Sequence, residues 1–220
     1  MEIDILPKTA RAQIHMVFIV VPRFNIATLI TMIETIRIAN YLAPTSIFSW
    51  EVASFDGSKI IASNGMTATI KTANDNLKPA EFVFILGSWG TEHYHNQQLT
   101  AWLRKRARAG ERICGVELGS YIVARAGLLD GKLATIHWSW LNGFKENFDR
   151  VEVEESLFTL DSKVMTCSGG LAGVDLMLRI IEELNGSSFS GEIADQMLHH
   201  PIRSAAVSYT HLTLPTNACV

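Results

Sequence analysis

Two hydrophobic periods alternate along the chain. Residues Ile14 to Val21 are apolar almost without a break, rich in β-branched side chains and closed by Pro22, a pattern that predicts a buried parallel strand. From Phe24 the spacing changes. Ile26, Leu29, Ile30, Ile33, Ile36 and Ile38 recur at helical intervals, with Asn25 as the residue that caps the helix. "FSWEVASF" (48 to 55) and "FVFILG" (82 to 87) read as further strands, and "KIIASNGMTATIKT" between them as a small hairpin or irregular excursion. Residues 96 to 109 form an amphipathic helix with Leu99, Trp102 and Leu103 on its apolar side, stopped by Gly110. A helix from about Ser139 to Phe148 follows, then short strands in "VEVEESLFTLDSKVMTC" and a strong helix in "GVDLMLRIIEELNG". Strand and helix in turn imply one α/β domain, its parallel sheet covered by helices on both faces.

Composition narrows the class without changing that picture. At 220 residues, with 48% hydrophobic and 19% charged side chains, the chain is long enough for one domain with a full core. No apolar run reaches membrane-span length and the N-terminus does not read as a signal peptide, so a soluble cytoplasmic protein is expected. The net charge of -3 lacks the basic excess that accompanies nucleic-acid binding. Three widely spaced cysteines, Cys114, Cys167 and Cys219, suggest neither a disulfide framework nor a zinc site, and no metal or cofactor is expected. "EHYH" (92 to 95) and His199-His200 read as solvated polar runs, and Arg104, Lys105, Arg106 and Arg108 as the solvated face of their helix.

The candidate chemistry lies in "ERICGVELGSYIVARAGLLDG" (111 to 131), a strand, a sharp turn and a helix, with Glu117 at the apex. Such a turn lifts a nucleophile into a pocket, and enzymes place serine or cysteine there. Ligands of open α/β sheets bind at the carboxyl ends of the strands, where "LGSWG" (86 to 90), "GVELGS" (115 to 120) and "TIHW" (135 to 138) should meet. Backbone N–H groups of the first loop are candidates for a ligand carboxylate. Cys114, inside the strand, reads as a small buried hydrophobe, and so does Cys167. Trp89, in a loop flanked by glycine, has less reason to be core than Trp138 or Trp140.

"EVASFDG", "AWLRKRARAG", "ARAGLLDGKLATIHW" and "TCSGGLAGVDLMLRIIEE", in this order, resemble the sensor domain of AraC-type transcription regulators of the GlxA kind. The resemblance covers roughly residues 14 to 203, between an N-terminal tail (1–13) and a tail of doubtful origin (204–220). It implies a flavodoxin-like three-layer α/β sandwich with a mostly parallel sheet, the ThiJ/PfpI, class I glutamine amidotransferase-like fold. Enzymes of that superfamily carry cysteine at the elbow and an acid in the loop or helix after the first strand; here these positions hold Glu117 and, near the second, Thr28. The resemblance therefore implies a non-catalytic domain that senses a small-molecule effector. The ligand-binding residues are expected to be Glu117, Gly87, Ser88, Trp89, Leu118, His137 and Trp138. An ionised Glu117 facing tryptophan rings suits a cationic amine, amino acid or betaine. The alternatives are a ThiJ/PfpI-superfamily enzyme of amidase or hydratase type and a plain interaction module. Regulators of this kind bind DNA through a C-terminal helix-turn-helix region, which residues 204–220 are too few to form, and those that read paired half-sites are commonly homodimers.

Overall fold

The computed structural model describes residues 13–73, 77–161, 163–199 and 203–205. The tail expected from residue 204 lies almost wholly outside them, as do Cys219 and His200. In chain order the elements are β1 (Ile14–Val20), α1 (Ile26–Leu42), β2 (Phe48–Ser54), β3 (Lys59–Ile61), β4 (Thr67–Thr69), β5 (Lys71–Thr72), β6 (Phe82–Gly87), α2 (Gln97–Arg108), β7 (Arg112–Glu117), α3 (Gly119–Arg125), β8 (Leu133–Ala134), α4 (Leu141–Asn147), β9 (Glu152–Val153), β10 (Phe158–Thr159), β11 (Val164–Cys167), α5 (Ala172–Asn185) and α6 (Ser187–Gln196).

Seven strands form one sheet in the order β10-β11-β7-β6-β1-β2-β5. All its pairings are parallel except β10 with β11. Alternation along β1 divides the core into two layers. Met16, Phe18 and Val20 join a cluster with Met32 and Ile36 of α1 and Leu176, Met177 and Ile180 of α5. Val17 and Ile19 face the other way, to Leu99 and Leu103 of α2 and Ile122 and Val123 of α3. The strands are apolar on both faces because helices cover both.

Local signals set the ends of these elements. The Asn25 side chain accepts from the N–H groups of Ala27 and Thr28, and α1 stops at Ala43 before Pro44. Asn96 caps α2 by accepting from Leu99 N–H. The hairpin expected at 59–72 is β3 with β4, and its last residues become β5 at the edge of the main sheet. One helix had no sequence signal: α6 follows α5 after the single residue Gly186, and its weakly apolar "SSFSGEIADQ" buries only Ser190, Ile193 and Ala194. The loss of a clear helical stripe explains its absence from the sequence reading.

Arg106 corrects another expectation. It lies 8% exposed, not on a solvated face, with its guanidinium 2.6 Å from Glu111, bonded to the carbonyls of Leu77 and Lys78 and resting on the Trp102 ring. Among the described residues, no helix is long and apolar enough to cross a membrane.

Candidate functional site

The turn after β7 is the point where the fold departs from ordinary backbone geometry. Glu117 has φ +55, a left-handed conformation that is costly for a side chain with a Cβ, by about 1–2 kcal/mol. Tight packing around the turn holds it there. Gly87 pairs with Glu117 across β6 and β7, and Leu118 N–H donates to Gly87 O. A Cβ on Gly119 would stand 1.9 Å from the Ile85 carbonyl oxygen, and one on Gly115 2.7 Å from Ser120 Cα. Only glycine lets α3 start this close to the sheet. On the far side Gly169, at φ +87, leaves the space that a Cβ would take 2.6 Å from Glu117 Cβ. This accounts for the first glycine of "TCSGG".

Glu117 is 4% exposed and lies in the wall of a cavity of about 450 Å³ at the carboxyl ends of the strands. Ser88 Oγ donates to Glu117 Oε1 at 2.6 Å, and Asn25 Nδ2 donates to Oε2 at 3.2 Å. The Asn25 amide thus has two tasks. Its oxygen caps α1 and its nitrogen faces the carboxyl, which fixes its orientation. No cation among the described residues pairs with Glu117. Burial pushes its carboxyl above the ordinary carboxylate range, against the opposing hydrogen bonds from Ser88 and Asn25. Burial thus opposes the ionised form expected for Glu117, and α3, which begins two residues further on, is only seven residues long.

The other expected site residues divide into two groups. Ser88, Trp89, His137 and Trp138 line the cavity with Glu117. Trp89 is 59% exposed and Trp138 42%, so Trp138 is not the core residue its size suggested. His137 Nδ1 lies 2.7 Å from Ser139 Oγ, and burial lowers the affinity of its ring for a proton. Gly87 and Leu118 do not line the cavity. Gly87 is a packing position, where a Cβ would stand 2.6 Å from Thr91 Oγ1, and the Leu118 side chain is fully buried on the α2/α3 side of the sheet. The "LGSWG" loop also offers fewer backbone donors than expected, because Gly90 N–H is taken by the Glu92 carboxylate. Arg125 clamps the segment that follows this loop by donating to the carbonyls of Thr91, Glu92 and Tyr94.

Seven cavity-lining residues escaped the sequence reading of the site, Gly169, Gly170 and Leu171 among them. Asn25 was legible only as a cap. Ser168 lies in "TCSGG", a motif noticed but given no role; its Oγ is buried with no hydrogen-bond partner among the described residues. Ser63 comes from the turn between β3 and β4, and Arg203 from the segment after α6, neither with a local signal. Thr28, where the acid of the enzymes was sought, turns away. Its Oγ1 accepts from Gly170 N–H, and Asn25, three residues earlier, is the one that reaches Glu117.

Both described cysteines are fully buried. Burial pushes the Cys114 thiol well above its ordinary range and that of Cys167 up to about 12. Brief alkylation of the native chain followed by peptide mapping should leave both unmodified, whereas rapid stoichiometric labelling of Cys114 would show an accessible thiolate. The described residues of "EHYH" bring no metal set together: no group of three or more His, Cys, Asp and Glu side chains suited to a metal occurs among the described residues.

A doubly wound sheet, a strained elbow and a cavity at its carboxyl edge define an elbow-bearing flavodoxin-like domain. The chain belongs to the DJ-1/PfpI family, which it matches over residues 23–183. It is 33% identical over 84% of its length to the HTH-type transcriptional regulator CdhR of Pseudomonas aeruginosa, and covers 55% of that protein. Against the HTH-type transcriptional regulator GlxA of Rhizobium meliloti the identity is 29% over 86% of the chain, covering 59% of the relative. The chain thus spans about half the length of the curated relatives it matches. A more distant relative, 24% identical over 64% of the chain, is the isonitrile hydratase of Pseudomonas putida. Among solved structures, an AraC family transcriptional regulator from Pseudomonas putida shares the fold with a TM-score of 0.78 at 22% identity, over 84% of this chain and 99% of that one.

Proposed function

We propose that this domain is the non-catalytic sensing part of an AraC-family transcriptional regulator and that its effector carries a cationic group bound at Glu117. One observation carries the reading. The cavity holds a buried carboxyl whose partners, Ser88 and Asn25, are neutral donors, so its charge has no counter-ion among the described residues. A buried acid in that position favours a ligand that brings the positive charge with it. The exposed rings of Trp89 and Trp138 line the same cavity and offer faces to an ammonium or guanidinium, a contact worth about 0.5–2 kcal/mol.

Catalysis of the amidase or hydratase type has less support. The elbow carries Glu117, the thiols of Cys114 and Cys167 lie away from water, and neither cysteine lines the cavity. The curated regulators that the chain resembles favour a role in transcription; on our reading the domain acts in the cytoplasm as a homodimer, with DNA recognition in a helix-turn-helix region outside the described residues.

Calorimetric titration with arginine, carnitine, choline and glycine betaine tests the reading. At least one of these ligands, each with a cationic group, should bind, and Glu117→Gln should weaken it roughly tenfold or more, the scale of a lost charge-assisted hydrogen bond. Preference for a ligand with no cationic group, or unchanged affinity in Glu117→Gln, would show that Glu117 serves the loops and not a ligand.

A further inference from the structure

Three of the residues lining the Glu117 cavity can ionise: Glu117, His137 and Arg203. His137 is half-buried and bonded to Ser139, and Arg203, ion-paired with Asp175, brings a guanidinium to the cavity. A guanidinium and a carboxyl in one cavity, not paired with each other, describe a site for a ligand with both charges.

Arg203 is held from behind. Asp175, near the start of α5 and fully buried, accepts from Arg203 Nε at 3.1 Å and Nη2 at 2.7 Å through Oδ2, and from Arg203 N–H at 2.9 Å through Oδ1. His199 Nε2 lies 2.9 Å from the same Oδ1. A guanidinium has five N–H donors, and here Nη1 has no hydrogen bond to any described residue. Its side chain keeps 30% of its surface exposed while that of Asp175 keeps none. The planar fork is therefore oriented by Asp175 with Nη1 left open, and a guanidinium with a free N–H donor suits a carboxylate.

We propose that Arg203 is the anion-recognising residue of this cavity and that the ligand is a zwitterion, its carboxylate on Arg203 and its cationic end at Glu117; this rests on the reading of Glu117 as a cation site. Asp175 is a positioning residue. The contact also has a structural consequence. Arg203 opens the short segment that returns to the domain after α6, and Ala205 O in that segment accepts from Leu157 N–H. Arg203 and Ala205 also line a second cavity, beside Leu160 and Arg179. A carboxylate on Arg203 adds a bond to this segment, so occupancy of the Glu117 cavity fastens it to the domain.

Glycine betaine and choline separate the two charges, because both carry a quaternary ammonium and only the first a carboxylate. Calorimetry on the 220-residue chain should find betaine the tighter ligand. Arg203→Gln should weaken betaine roughly tenfold or more and leave choline within about twofold, whereas Glu117→Gln should weaken both. Should Arg203→Gln fail to fold with Asp175 unpaired, Arg203→Lys keeps the charge but not the fork, and the ratio of betaine to choline affinity is read on that variant. Hydrogen exchange of the Leu157 amide in the unaltered chain should slow with betaine and not with choline. Choline binding as tightly as betaine, equal effects of Arg203→Gln on the two, or equal slowing at Leu157 would overturn the role of Arg203 while leaving the cation site intact. Binding of neither ligand, or indifference of both to Glu117→Gln, would overturn the cation site and this proposal with it.

Discussion

Gly119→Ala should abolish the folded domain or leave it severely destabilised. The added Cβ would lie 1.9 Å from the Ile85 carbonyl oxygen and 2.8 Å from its carbon, and both belong to the backbone of β6 in the middle of the sheet. No rotamer relieves such a contact. Either α3 lifts off the sheet, carrying the elbow with it, or the β6 to β7 ladder opens. Overpacking that cannot relax through side chains should exceed about 3 kcal/mol, a fall in Tm of roughly 6–12 °C for a chain of this size, with loss of soluble protein at the severe end. Gly191→Ala is the internal control. It sits within α6 with nothing near its would-be Cβ, and should be neutral or stabilise by up to about 1 kcal/mol. Thermal unfolding of the two variants checks both expectations, and a Gly119→Ala variant within 2 °C or so of the parent would mean that α3 is free to shift.

The second large effect is an opposition between stability and binding at Glu117. Its carboxyl holds a proton more tightly in the folded chain than in the unfolded one, because burial disfavours the charged form. The sign follows from linkage. Below the ordinary carboxylate pKa both states are protonated and Glu117 costs nothing; as pH rises through the raised folded value, the folded state loses stability relative to the unfolded one. Each tenfold difference in proton affinity between the two states corresponds to about 1.4 kcal/mol at high pH. Glu117→Gln removes that penalty and keeps the shape. Its Oε1 can accept from Asn25 Nδ2, and its Nε2 can donate to the Ser88 hydroxyl, which serves as donor or acceptor. The variant should therefore unfold at a higher temperature than the parent at pH 7.5, with the gap closing as pH falls toward the ordinary carboxylate range. Cation binding should follow the reverse course. A cation favours the ionised carboxyl, so its affinity should rise with pH and its binding should release protons, seen as calorimetric heats that depend on the ionisation enthalpy of the buffer. In Glu117→Gln both the proton release and the pH dependence should vanish. A carboxyl that destabilises the empty domain and is needed by the ligand is what a binding site, more than a structural one, would retain.

The fold was legible where periodicity was strong. β1, β6 and the helices α1, α2 and α5 have runs or stripes of apolar residues that allow one reading, and the alternation of strand and helix is enough to require a parallel sheet covered on both sides. α6 was not legible, since three buried positions in a serine-rich stretch make no stripe. Arg106 shows the same limit for polar residues. Its helical position looked solvated, but the residues before β6 fold over it and supply carbonyls, Glu111 supplies a counter-charge, and the side chain ends buried. Periodicity reports on the element, whereas burial depends on what the rest of the chain lays across it.

For the site, the sequence alone determined the strained turn, the glutamate at its apex, and the convergence of the residue 86–90 and 135–138 loops upon it. These follow from covalent order and backbone sterics, because a strand, a tight turn and a helix with glycines at 115 and 119 have few other conformations. Only the tertiary structure decided how Glu117 is partnered and charged. Asn25, Ser168 and Arg203 reach the cavity from segments 92, 51 and 86 residues away along the chain, and nothing in their own neighbourhoods points there. The ionisation of Glu117 was decided at the same level, since it depends on how completely distant segments exclude water from the carboxyl, and exclusion of water is a property of the assembled fold.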